Sequence, residues 1–196
     1  MANMIIRPAT GTGNKVIVQD QAGAAVLTTA DSGATVANAT LNAPTVADMT
    51  NCTFPAGHVI QVLTGTYATE SYTTSVSFAS MSLAVTITPK SASSKFFIIC
   101  NTSGYNNSGN AQIGFYTIYR DSTNLGPANG YANVYQGVGN ANDDLGTNIC
   151  ISELDSPNTT SSIIYGMYAR TNNASYRTYW SMNHSKSDIT VMEVAG

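Results

Sequence analysis

The sequence predicts an all-β protein, an antiparallel β-sandwich of jelly-roll type preceded by a short extended anchor segment. Three observations predict this fold. Ser, Thr and Asn make up about a third of the 196 residues, and they favour strands and tight turns. Only 10% of the residues are charged, so the chain is poor in the residues that build long amphipathic helices. Short apolar or alternating segments recur between turn signals, a spacing typical of sandwiches.

The composition changes near residue 57, which we take as a domain boundary. Before it, the only aromatic residue is Phe54; after it come all 11 Tyr, the single Trp and the other four Phe. Residues 1–57 are therefore predicted to be an anchor and oligomerisation segment, and residues 58–196 a β-sandwich knob.

The anchor segment carries a strand-turn-strand pattern, in which Lys15–Gln19 and Ala25–Thr28 flank a turn at Asp20–Gly23. Its side chains are too small to bury enough area to offset the entropy of ordering the chain. We therefore expect the segment to pack on sister chains or on a larger assembly; a disordered tail is the alternative. The predicted contact residues of the anchor are Val16, Ile17, Val18, Val26 and Leu27.

The knob reads as a series of strands separated by turns. Leu83, Val85 and Ile87 alternate with small or polar residues, the period of a half-buried strand, and Pro89 ends that strand. The other predicted strands are His58–Leu63 leading into Thr64–Tyr72, then Lys95–Asn101, Gln112–Arg120, Thr147–Leu154, Ser162–Ala169, Ser175–Met182 and Asp188–Val194.

One connection, between Asn124 and Thr147, is longer than a hairpin needs and is rich in glycine. Long connections in compact domains often carry function. It contains Tyr131 and Tyr135, which we take as candidate residues of a ligand-facing loop.

Charge and composition exclude several functional classes. The formal net charge is −3, and the eight Lys and Arg residues are scattered singly, so no basic patch is predicted to bind nucleic acid. No apolar stretch approaches the roughly 20 residues needed to span a bilayer, and we expect no membrane insertion. Cys100 and Cys150 are expected to be buried free thiols, which fits synthesis in a reducing cytoplasm.

No catalytic, metal or cofactor site is predicted. Asp143 and Asp144, together with Glu153 and Asp155, form the densest acidic group, but their spacing matches no calcium loop. Glu70, Glu153 and Asp155 leave a carboxylate pair for glycan hydrolysis open as an alternative. We predict that the chain is not an enzyme.

Several segments resemble parts of tail-fibre and particle-surface proteins of aquatic bacteriophages, and they cover most of the chain in a consistent order. These segments are 14–23, 26–33, 49–62, 86–95, 118–126, 154–157 and 189–196.

The resemblance implies a β-rich knob, usually a homotrimer, that is anchored to the virion by its N-terminal segment. The implied partners are the major capsid protein or a tail protein, and the implied location is the virion after synthesis in the host cytoplasm. Because we find no long shaft of repeats in the sequence, a capsid decoration (cement) protein or short head fibre is favoured. A tail-fibre tip that recognises host surface glycans is the alternative.

Overall fold

The computed structural model of the chain describes residues 16–19, 21–30, 33–36, 54–106, 111–137 and 145–196. The chain divides into two compact units, Met1–Cys52 and Thr53–Gly196. The boundary expected after residue 57 lies a few residues further along the chain. Gly57 donates its backbone N–H to Ala195 and His58 accepts one from Ala195, so both residues are held in the second unit.

The first unit contains a small antiparallel sheet. Strand β1 (Ile17–Gln19) pairs with β2 (Ala25–Ala30), which pairs with β3 (Gly33–Val36). The turn between β1 and β2 includes Gly23, whose φ of 84° lies in the left-handed region that glycine adopts without strain. The predicted hairpin is confirmed, and β3 was not predicted.

The second unit is all-β, as predicted. Its strands are β4 (Val59–Tyr67), β5 (Ser71–Thr73), β6 (Ala79–Ile87), β7 (Lys95–Asn106), β8 (Gln112–Arg120), β9 (Thr123–Asn124), β10 (Ala132–Gln136), β11 (Leu145–Asp155), β12 (Ile163–Thr171), β13 (Thr178–Trp180) and β14 (Ser187–Val194).

These strands form two antiparallel sheets that pack face to face. In sheet 1 the order is β4-β14-β7-β11, and β5 and β13 extend it along the far half of β7. In sheet 2 the order is β6-β12-β8-β10, with the short β9 on β8. Successive long strands cross between the two sheets in the order of a jelly roll. The predicted sandwich of jelly-roll type is confirmed.

The core lies between the sheets and follows the alternation of the strands. In β6, Met81, Leu83, Val85 and Ile87 are buried and the residues between them are exposed. The same alternation in β7 and β14 places Phe96, Ile98, Ile189 and Val191 against them. Because the side-chain period of a strand is two, the opposite residues of the same strands form the outer faces of the sandwich.

Helices contribute almost nothing to the described part of the chain. Its one helical element is a single 3-10 turn at Met182–His184, and no described helix is long and apolar enough to cross a membrane.

Candidate interaction surface

An apolar row crosses the outer face of sheet 1 from one edge strand to the other. The strand register aligns Val62 on β4 with Met192 on β14, Met192 with Phe97 on β7, and Phe97 with Leu154 on β11. Val62 is 51% exposed, Phe97 36% and Leu154 56%, while Met192 is half-buried. We call these four residues the apolar row. Contiguous exposed apolar patches mark interaction sites more often than single exposed residues do.

One neighbouring row on the same face is mostly polar, and the other contains Lys95, an exposed cation that aligns with Val194 on β14. Thr64 and Thr190 align, and their hydroxyls lie 3.1 Å apart in a mutual hydrogen bond. In the next row Asn101 Nδ2 donates to Asp188 Oδ1 at 3.0 Å. These two pairs of polar groups are therefore satisfied within the sheet, whereas the charge of Lys95 would enter any contact that covers this face.

The outer face of sheet 2 differs, because side chains of the chain itself cover much of it. Tyr119 and Tyr168 stack with ring centroids 4.1 Å apart. The guanidinium of Arg170 lies 3.9 Å from the ring centre of Phe115 and 5.2 Å from that of Phe78. Such aromatic and cation–π contacts hold apolar side chains against the sheet. The two outer faces are thus chemically distinct.

A row of tyrosines crosses the other end of sheet 1. Tyr72 on β5 aligns with Tyr179 on β13, and Tyr179 aligns with Tyr105 on β7. The rings of Tyr105 and Tyr179 stack with centroids 4.2 Å apart, and Tyr72 lies tilted against Tyr179 at 5.3 Å. The Arg177 guanidinium sits 4.4 Å from the ring centre of Tyr72.

Glu70 completes this aromatic end with an acidic group. Its Oε2 accepts the backbone N–H of Asn183 at 2.7 Å, and its Oε1 accepts the Tyr105 hydroxyl at 3.4 Å. Ser181, Asn183 and His184 all have positive φ angles between 52° and 59°, and such strained residues concentrate at functional sites. The half-exposed ring of Tyr72 beside the Arg177 guanidinium offers the apolar surface and the donors that can bind a sugar.

Two carboxylates of β11, Glu153 and Asp155, accept hydrogen bonds from side chains of residues on or next to sheet 2. The hydroxyl of Tyr131 donates to Glu153 Oε2 at 2.6 Å. Arg120 Nη1 lies 2.7 Å from both oxygens of Asp155, and the Tyr165 hydroxyl donates to Asp155 Oδ2 at 2.7 Å. Burial, reinforced by these hydrogen bonds, raises the pKa of both Tyr131 and Tyr165.

The two tyrosines predicted to face a ligand occupy different positions. Tyr131 is half-buried against the core, and its hydroxyl is bound by Glu153. Tyr135 is exposed on β10, so the prediction that this stretch is a loop was wrong. Val134 and Gln136 point inward and are buried, and their pairing with β8 makes residues 132–136 an edge strand.

The predicted anchor contacts lie on the hairpin of the first unit. Ile17 and Val18 on β1 are exposed, while Val16 and Leu27 are half-buried. Val26 lies on β2, and its side chain is outside the described residues. The register aligns Val18 with Leu27. Their role as anchor contacts stays a prediction.

The two cysteines of the second unit also differ. Cys100 is buried, and burial, together with Asp188 and Cys150, raises its thiol pKa to about 12. Cys150 is exposed on the outer face of β11, so the prediction that it is buried was wrong. The apolar run before Cys100 and the strand around Cys150 look alike in sequence, but they place these residues on opposite faces of sheet 1.

The acidic residues considered for metal or sugar chemistry are held by other groups. Glu153, Asp155 and Glu70 each accept the hydrogen bonds given above, and Asp143 and Asp144 lie outside the described residues. Within the ranges that the structure describes, no group of three or more His, Cys, Asp or Glu side chains is arranged to hold a metal ion.

No protein-family model and no curated protein sequence matches the chain.

The sequence held a signal for the apolar row that our strand analysis did not use. In β7 the run Phe96, Phe97, Ile98 and Ile99 is apolar on both faces of the strand. Strands that are covered on both faces have such continuous apolar runs, whereas strands with a solvated face alternate. The run therefore indicates that the outer face of β7 is also suited to being covered.

Proposed function

We propose that this chain is a non-catalytic structural protein of a bacteriophage particle, a capsid decoration or short head-fibre protein. The jelly-roll unit is the knob, and the first unit, with Ile17 and Val18 exposed, anchors it to the particle. The resemblance of the sequence to phage fibre and particle-surface proteins supplies the biological setting.

The observation that carries the proposal is the apolar row on sheet 1. An uncharged apolar strip on a rigid sheet is suited to permanent contact with protein, because burial of apolar surface contributes about 25 cal/mol per Å². A module built around such a contact strengthens a shell mechanically, since it links neighbouring subunits that the internal pressure of packaged DNA pushes apart.

The test is to locate the protein on purified particles. Antibody against the knob, visualised with gold in electron micrographs, is expected to decorate the heads at regular positions. Pre-absorption of the antibody with purified knob serves as the control. Absence of the protein from purified particles would refute the proposal, and label at the tail tip would favour the alternative below.

The alternative is a tail-fibre tip that binds host surface glycans, and the tyrosine end of sheet 1 favours it. Tyr72 is exposed beside the Arg177 guanidinium, and Tyr135 is exposed on β10. If this function holds, Tyr72→Ala or Tyr135→Ala lowers binding of the purified chain to host cells at least tenfold. Ile164→Ala, an exposed residue on the other sheet, is the matched control.

The non-catalytic part of the proposal has its own test. The purified chain is incubated with host polysaccharide, and new reducing ends are measured against a heat-denatured control. No release above the control is expected. Release that is lost on Glu70→Gln would show that the chain is a glycan-cleaving enzyme.

A further inference from the structure

We infer that Arg177 and the exposed ring of Tyr72 form a binding site for an acidic sugar, one that carries a carboxylate as a uronic acid does. The guanidinium of Arg177 binds the carboxylate, and the ring of Tyr72 packs against the C–H face of the sugar. This inference rests on the alternative function given above and deepens it, because it names the class of glycan that the tyrosine end of sheet 1 takes.

The first observation is that the charge of Arg177 has no carboxylate partner in the described part of the chain. The ion pair found there joins Arg120 to Asp155, and Arg177 is exposed. A guanidinium has five N–H donors, and among the described residues only Nη1 of Arg177 donates, to the hydroxyl of Tyr179 at 3.3 Å. The donors that remain fit a carboxylate, which accepts two parallel N–H bonds from an arginine fork.

The second observation is that the fold positions Arg177 before a ligand binds. Its backbone carbonyl accepts the side-chain amide of the fully buried Gln112 at 2.6 Å, and β13 begins at the next residue. The guanidinium carbon lies 4.4 Å from the ring centre of Tyr72, and a cation–π contact uses the charge of the guanidinium rather than its N–H donors. A side chain held in this way loses less conformational entropy when it binds a ligand.

The third observation is that Tyr72 is the open ring of the tyrosine row. It lies on β5, the last strand in the order β7-β13-β5, and it is 48% exposed. Tyr179 and Tyr105, the other two rings of the row, are each 8% exposed. An aromatic face offers apolar contact to the C–H groups of a sugar ring. The exposed ring and the exposed cation together favour an acidic sugar over a neutral one.

The charge that opposes an acidic ligand lies at the other end of the row. Glu70 accepts the Tyr105 hydroxyl at 3.4 Å and the backbone N–H of Asn183 at 2.7 Å, whereas Arg177 contacts Tyr72 and Tyr179. The carboxylate of Glu70 therefore has donors of its own, and water and salt screen its repulsion of a ligand bound at Tyr72.

The test measures binding of trigalacturonic acid, a short acidic sugar, to the purified full-length chain by titration calorimetry. Arg177→Ala and Tyr72→Ala are each expected to weaken binding by at least about tenfold. The fully methyl-esterified trimer has the same rings without the charges, and it is expected to bind more weakly than the acid by a similar factor. Lys95→Ala is the matched control and should bind as the wild type does. It removes an exposed cation from the same strand as Tyr105, ten residues or about 33 Å away.

Two further arms separate recognition of a uronic acid from simple attraction between charges. Arg177→Lys keeps the cation and loses the planar fork, so it is expected to bind the trimer at least about fivefold more weakly than the wild type. Dextran sulfate is expected to displace the trimer poorly. Wild-type affinity in Arg177→Lys, or displacement by dextran sulfate at an equal concentration of charge, would overturn the inference.

The inference also fails if the wild-type chain shows no binding of the trimer up to about 10 mM, or if Arg177→Ala binds as tightly as Lys95→Ala. A second measurement needs no variant and decides the matter if a substituted chain fails to fold. Saturation-transfer NMR of the trimer with the wild-type chain is expected to show the largest transfer to C–H protons on one face of a sugar ring. Equal transfer to both faces would contradict packing on Tyr72.

The inference and the function on which it rests fail separately. A chain that binds the trimer through Arg177 but is found on the heads of particles keeps the sugar site and loses the tail-fibre function. A chain found at the tail tip, whose binding to host cells depends on Tyr135 and not on Arg177, keeps the fibre function and loses this site.

Discussion

The substitution Asp155→Asn tests whether the ionic contact between the two sheets stabilises the sandwich. Asp155 accepts from Arg120 at 2.7 Å on both oxygens, and from the buried Tyr165 hydroxyl at 2.7 Å. The side chains of Arg120 and Asp155 are 25% and 11% exposed, so water screens this pair less than a surface pair. Arg120 and Tyr165 belong to sheet 2 and Asp155 to sheet 1.

The expected loss follows from the bonds that change. A hydrogen bond to a charged group contributes about 1.5–3 kcal/mol net. Asparagine removes the negative charge and one acceptor oxygen but keeps the size of the side chain. We therefore expect Asp155→Asn to lower the free energy of unfolding by about 2 kcal/mol. Tyr165→Phe removes one hydrogen bond to the same carboxylate and is expected to lower the free energy of unfolding by about 1.5 kcal/mol. Because both substitutions act on one network, the double variant is expected to lose less than their sum.

The assay is urea unfolding followed by tryptophan fluorescence, since the single Trp180 lies in the core. The midpoint should fall at an unchanged dependence on urea concentration, and the melting temperature should fall by roughly 4–8 °C for a domain of this size. Asp188→Asn is the matched control, because Asp188 accepts its hydrogen bond from Asn101 on the outer face of the sheet, where both groups are partly exposed. This substitution is expected to lower the free energy of unfolding by less than about 0.5 kcal/mol. An Asp155→Asn variant as stable as Asp188→Asn would refute the reasoning.

Three further predictions concern stability. Gly104→Ala is expected to lower the free energy of unfolding by about 1–3 kcal/mol, because the added Cβ would lie 2.5 Å from the Tyr116 hydroxyl. Gly137→Ala is the control: the nearest neighbour of its added Cβ lies at 3.9 Å, so it should lower the free energy of unfolding by less than about 0.5 kcal/mol. Both losses are measured by urea unfolding. Glu193→Ala is expected to lower the free energy of unfolding by about 3 kcal/mol. The fully buried carboxylate accepts hydrogen bonds from the Gln61 side chain and the Lys90 backbone N–H, and both donors would lose their partner. A melting temperature within 2 °C of wild type would contradict this. Burial raises the pKa of the Cys100 thiol from 9.0 to about 12, so above pH 9 the unfolded chain releases a proton that the folded chain keeps. The wild-type free energy of unfolding should therefore fall between pH 9 and pH 12 more steeply than that of Cys100→Ala, by up to about 1.4 kcal/mol per pH unit. Parallel curves would contradict it.

Local patterns in the sequence were enough to predict most strands. The alternation of Leu83, Val85 and Ile87 predicted β6, and the bounds predicted for Gln112–Arg120 are those of β8. Such patterns are reliable because the side-chain period of a strand is a property of the backbone alone. The all-β class and the division between a small hairpin unit and an aromatic-rich unit follow from composition, because residue types differ in their preference for strands.

The predictions failed where long-range pairing decided the structure. Residues 132–136 carry turn-forming neighbours and were taken as loop, but β8 lies beside them and supplies the hydrogen bonds that make them β10. Cys150 was expected to be buried from its apolar surroundings, yet the register with β7 turns it outward. A shift of one residue in register exchanges the two faces of a strand, and no local pattern fixes that choice for an apolar run.

The sequence by itself determined the class of fold, the positions of most strands and the scarcity of charge, because each depends on residues close together in the chain. Only the tertiary structure decided which residues meet. Val62, Phe97, Leu154 and Met192 lie on four strands drawn from nearly the whole length of the second unit, and the jelly-roll order β4-β14-β7-β11 aligns them in one row. Tyr72, Tyr105 and Tyr179 become neighbours in the same way. Strand order and register are set by the packing of the whole core, so the candidate surfaces emerge only when the chain has folded.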